Sequence, residues 1–166
     1  MGVVAEDEAE DEVQGETEVQ APPAEIASDD AMMLLQSVPE RVTDLLFGLS
    51  LDQLQYRHGP AFPTADELAR HLAGRGARLD VQVTAACLDT AAAEPAEPSA
   101  APLAEVLADW QRQRRRAVDL LRGLPKDGWD RTLEDETLIE LCRRSLGHEL
   151  GHLSQLRNLT ALIPVA

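Results

Sequence analysis

Aromatic side chains are scarce: Phe, Trp and Tyr make up 3% of 166 residues, although 44% of the chain is apolar. A sheet core leans on aromatic and β-branched residues, so a core built from Leu, Val and Ala points to packed helices. Cysteine is nearly absent. Cys87 and Cys142 form no CxxC or other zinc spacing, and each falls within a helical apolar pattern, which reads as a buried free thiol. No apolar run is long enough to span a bilayer, and the first residues are acidic where a secretory leader would be basic. The expectation is a cytoplasmic protein with no membrane partner. Positive charge is also short: 15 Lys and Arg face 30 Asp and Glu, for a formal −15. Direct nucleic-acid binding needs a basic surface and is excluded on that ground.

What is present is unevenly placed. The first thirty residues carry eleven Asp and Glu and no Lys or Arg, which leaves a formal −4 for the rest. An acidic segment with so little to bury cannot offset its chain entropy, so Met1 to about Ser28 is expected to be a disordered tail. Residues 29–166 then form one domain, with no internal repeat. Four helical segments follow. The first, from about Asp30 to Gly48, repeats Leu35, Val38, Val42, Leu45 and Leu46 at helical spacing, and Pro39 is expected to kink it or mark a restart. A loop runs from Leu49 to Pro63. The second helix starts at a capping box, Thr64 with Glu67, and places Leu68, His71, Leu72, Leu79, Val83 and Cys87 on one face. Gly74 and Gly76 each weaken it by about 1 kcal/mol relative to Ala. A Pro- and Ala-rich linker spans about Ala91 to Ala101.

Pro102 suits the first turn of the third helix, whose inner face holds Leu103, Val106, Leu107, Trp110, Ala117, Leu120 and Leu121. The basic run Arg112 to Arg116 reads most simply as a solvated face, with a substrate-anion patch as the alternative. Gly123 and Pro125 end the helix. The fourth helix starts at a second capping box, Thr137 with Glu140. Leu138, Ser145, His152 and Leu159 share one heptad position, and Leu141, His148, Gln155 and Leu162 share its partner. These two positions are read as the inward seam. The fold class is therefore all-α, a four-helix bundle whose loops allow a crossover connection.

His148 and His152 stand one helical turn apart on one face. Imidazoles in a bundle core are unfavourable unless paired, and a shared metal ion pairs both. A third ligand must come from a facing helix. Of the two other histidines, His71 lies on the apolar face of the second helix, whereas His58 lies in the loop beside Gly59-Pro60 and reads as an ordinary loop residue. The string His148-Glu149-Leu150-Gly151-His152 is also a literal HExxH, in which Glu149 would be a protease base. That reading needs a further ligand downstream, and the fourteen residues after His152 contain no His, Asp or Glu. Protease is ranked low, and Glu149 is expected to be solvated or to support a ligand from outside the metal.

Three stretches together resemble the DinB/YfiT-like superfamily, unrelated to the DNA polymerase of that name. Phe62 to Leu72, ending in Arg70-His71-Leu72, is similar to its second-helix motif. Leu124-Pro125-Lys126-Asp127-Gly128-Trp129-Asp130-Arg131 resembles its connection between helices three and four. Gly147-His148-Glu149-Leu150-Gly151-His152-Leu153-Ser154-Gln155-Leu156 resembles its fourth-helix signature. The sequence departs from the pattern at Phe62-Pro63 and at Glu149, where Asp is common. The resemblance implies a bundle with a crossover and a divalent metal ion, Zn, Ni or Fe, on His71, His148 and His152. Gln155 is a polar neighbour of that site. The resemblance also implies a homodimer acting on a small molecule, as a thiol-dependent S-transferase using a low-molecular-weight thiol or as a metal-dependent hydrolase. The alternative is a non-catalytic, stress-linked metal-binding protein. No catalytic acid or base is readable.

Overall fold

The computed structural model describes residues 27–93, 100–133 and 135–164. The expected disordered tail falls almost wholly outside the described residues, as does the middle of the linker at 94–99. Four long helices dominate: α1 (Ser28–Leu46), α3 (Ala65–Leu88), α4 (Leu103–Arg122) and α5 (Leu138–Ala161). The loop after α1 contains a one-turn helix, α2 (Leu51–Leu54), which the sequence reading missed. Between α4 and α5 lie a 3₁₀ turn (Lys126–Asp130) and a small antiparallel hairpin, also missed, of β1 (Thr132–Leu133) and β2 (Glu136–Thr137). Among the described residues no helix is long and apolar enough to cross a membrane.

Helix α1 packs on α4 and α5, and α3 packs on the same two, while α1 and α3 barely touch. α1 and α3 therefore occupy one diagonal of the bundle, and α4 and α5 the other. The connections α1–α3 and α4–α5 each pass across an end of the bundle. The core between the helices is mainly aliphatic, built from residues such as Leu35, Leu72, Leu121, Leu146 and Leu156, with Trp110 and Trp129 as its large aromatics.

Both predicted capping boxes form. Thr64 accepts from the Glu67 amide while the Glu67 carboxylate accepts from the Thr64 amide, and Thr137 and Glu140 do the same for α5. These local bonds satisfy orphan N–H groups and fix where each helix starts. Arg57 braces the entry to α3 by pairing with Glu67 and donating to the Phe62 carbonyl.

Four expectations are corrected or refined. Of the kink or restart expected at Pro39, the restart does not occur, because α1 is one helix through it. Proline has no N–H for the carbonyl four residues back, and here the Leu35 carbonyl instead accepts from Arg114 Nη1 at 2.8 Å. Arg114 is thus not on a solvated face, since it is 1% exposed. Gly76 is more than a weak helix former: a Cβ there would fall inside the Trp110 indole, whereas one at Gly74 would meet open space. The cysteines divide, with Cys142 buried and Cys87 only partly so.

Candidate metal centre

Helix α3 carries His71 near its N-terminus, seven residues past the Thr64 cap. Helix α5 carries His148 and His152 one turn apart. Because α3 packs on α5, the three rings meet, with ring centroids separated by 4.4 Å for His148–His152, 4.8 Å for His71–His152 and 5.7 Å for His71–His148. One nitrogen from each lies within 4.8 Å of the other two. Metal–imidazole bonds of about 2.0–2.1 Å put two donors on one ion no more than about 4.2 Å apart. Small ring rotations close that difference. His58 stays outside the cluster, in the loop, edge-on to Phe62.

The donor set fits a metal ion on two observations. His148 Nε2 is buried and has no hydrogen-bond partner, an arrangement unfavourable unless something takes its lone pair. His152 Nδ1 lies 2.6 Å from Gln155 Oε1. An amide oxygen only accepts, so Nδ1 carries the proton and Nε2 presents a lone pair. Gln155, expected only as a polar neighbour, orients one of the three rings. Burial lowers the pKa of His71 and of His148, and His152 and Arg75 lower both further. Each shift favours the neutral imidazole that a metal requires.

The expected seam of α5 is rotated by one residue. Leu138 and Leu141 of the expected seam are buried, but beyond them the buried stripe is Cys142, Leu146, Glu149, Leu153 and Leu156. His148 and His152 lie at its edge, half-buried, and His71 is exposed. Gln155 and Leu162, assigned to the seam, are also exposed. The histidine cluster therefore sits at the rim of the α3–α5 interface, open to solvent on one side.

Glu149 takes the central place, and neither expectation for it holds. It is 1% exposed, and both its oxygens are held by Arg114: Oε1 by Nη2 at 2.6 Å and Oε2 by Nη1 at 3.0 Å. Arg114 Nε donates to Asp80 Oδ1 at 2.5 Å, and its guanidinium lies 5.6 Å from the Trp110 ring centroid. One buried cation thus joins α1, α3, α4 and α5. Two carboxylates share it, and Asp80 Oδ2 has no partner. Burial outweighs the attraction of Arg114 and raises the Asp80 pKa to about 7, with Glu149 adding to the rise. A signal for this cluster was available in the sequence. Arg114 falls in register with Leu107, Trp110, Ala117 and Leu121, Asp80 is adjacent to Leu79 on the α3 stripe, and Glu149 is in register with Cys142 and Leu156.

A carboxylate so engaged is not free to act as a protease base, which disposes of the HExxH reading. Burial disfavours the thiolate form of both cysteines: it pushes the Cys142 thiol up to about 12 and also raises that of Cys87.

The model of the DinB superfamily matches residues 34–156. Among solved structures, the chain is similar to YfiT from Bacillus subtilis, described as a probable metal-dependent hydrolase with an unusual four-helix bundle topology. The TM-score is 0.69 at 19% identity, over 84% of this chain and 91% of that one. No match was found among curated proteins. The family match spans most of the chain, including all three histidines and the motifs around them, and the chain belongs to the DinB superfamily.

Proposed function

We propose that this protein is a metal-dependent enzyme whose His71, His148 and His152 hold one divalent ion and whose reaction takes place at the ion's open position. The observation that carries the reading is the buried, unpartnered Nε2 of His148 within a three-imidazole cluster that faces solvent on one side. When bound to three neutral imidazoles, a divalent ion keeps its full charge and lowers the pKa of a water or thiol placed beside it. The chain's own residues set that site. Gln155 fixes the His152 tautomer, and Arg75 disfavours protonation of His71 and His148. Glu149 anchors α5 beneath the ligands through its ion pair with Arg114.

Hydrolysis agrees with the description of YfiT. Transfer of an external thiol is favoured by a different observation: Glu149, the carboxylate nearest the ligands in sequence, is locked in an ion pair. A thiol ionised at a metal needs no separate base. A screen of ester, amide and phosphoester hydrolysis alongside thiol conjugation, with and without chelator, decides between them. Activity of either kind that is chelator-sensitive, and lost together with bound metal in His148→Ala, supports the proposal. Unchanged metal content in His148→Ala, measured by elemental analysis, removes its basis.

A further inference from the structure

Beside the histidines lies a cavity of about 340 Å³, within the usual range for small-molecule sites, lined by Arg75, Arg78, Gln82, Arg144, Ser145 and His148, among others. Arg75 and Arg78 follow His71 by four and seven residues, so all three project from the same side of α3. Among the described residues, neither guanidinium makes an ion pair or a hydrogen bond. The anions nearby are committed. Glu149, on the cavity wall, has both oxygens on Arg114, and Glu136 pairs with Arg144. Two unpaired arginines three residues apart repel each other, and both already act electrostatically on His71.

We propose that the substrate carries an oxyanion group, carboxylate or phosphate, that Arg75 and Arg78 bind while its reacting end reaches the metal. Guanidinium N–H groups match the paired oxygens of either anion, and an anion there relieves the repulsion between the arginines and the ion. This assignment rests on the metal reading above and extends it to substrate class. Arg75 and Arg78 are binding residues in it; the ligands of the ion are unchanged.

The test uses the full chain reconstituted with Zn²⁺, its bound metal counted by elemental analysis. Succinate, inorganic phosphate and the neutral control succinamide are titrated by calorimetry into wild type and Arg75→Gln/Arg78→Gln. Both substitutions are on exposed positions, and thermal melts check the fold. Wild type is expected to bind succinate or phosphate and not succinamide, and whichever anion binds identifies the group. The double variant should lose about ten- to a hundredfold in affinity, with metal per chain unchanged. Equal affinity in the double variant, or no preference for an anion over succinamide in wild type, overturns the proposal. Loss of anion binding on metal removal alone, with no effect of the arginine substitutions, does so too. Sub-stoichiometric metal in wild type with arginine-dependent anion binding intact would instead sink the metal centre and leave the anion site standing.

Discussion

Replacing Glu149 by Gln removes one charge from the buried cluster while preserving side-chain shape. The guanidinium of Arg114 loses a two-point partner held at 2.6 and 3.0 Å, and an amide NH₂ must face a guanidinium N–H in a dry site. Unit charges about 4 Å apart interact by ~4 kcal/mol at an effective dielectric of 20, in line with the ~3–5 kcal/mol typical of breaking a buried pair from one side. Asp80 still partners Arg114, which places the expected loss near the lower end, about 3 kcal/mol. For a domain of this size that is a fall in Tm of roughly 10 °C. Thermal unfolding by circular dichroism reads it, with metal content measured at low temperature, where the variant is folded and should still hold its ion. A catalytic base behaves differently, since Glu149→Gln would then abolish turnover and leave Tm in place. A Tm within about 2 °C of wild type refutes the assignment of Glu149 to the core. The replacement Asp80→Leu/Arg114→Met/Glu149→Leu removes all three charges together and should be more stable than Glu149→Gln alone, because no unpaired charge remains.

The raised Asp80 pKa, about 7, predicts a pH signature. Its folded value lies above its unfolded one, so its stabilising contribution is full below about pH 4 and is lost as pH rises through about 7. Asp80→Asn, which mimics the protonated form, should gain in Tm relative to wild type between pH 5 and pH 8; a constant or shrinking gap contradicts this. The two helical glycines of α3 should respond in opposite directions to alanine. Gly74→Ala stabilises by up to about 1 kcal/mol, and Gly76→Ala destabilises by about 1–3 kcal/mol as Trp110 is displaced, both read by urea denaturation. Gln155→Leu removes the acceptor that orients His152 and should weaken metal binding about 10- to 100-fold in a chelator competition. An unchanged affinity there means that Gln155 has no part in holding the ligand.

The sequence by itself determined where the capped helices of this protein begin and which residues form the histidine cluster. Capping boxes at Thr64 and Thr137 are bonds between residues three apart, and the pairing of His148 with His152 is a matter of helical pitch, so nothing distant is needed to read them. The third histidine, His71, was legible from the family motif and from its place on the helix facing α5, although it is exposed rather than on the buried face. Only the tertiary structure decided the rotation of α5, which brings Glu149 to the centre and the histidines to the rim. Adjacent heptad assignments differ by about 100°, and in α5 both candidate stripes mix leucines with polar residues. The choice between them came from Arg114, 35 residues before Glu149 in the chain, and from the Leu35 carbonyl 79 residues before Arg114. Pro39 frees that carbonyl and Arg114 satisfies it, so the continuity of one helix depends on a side chain of another. The opening of the centre toward Arg75 and Arg78 was likewise set by how α3 and α5 pack, because a basic residue on an exposed turn acquires a role only when a second helix closes a cavity beside it.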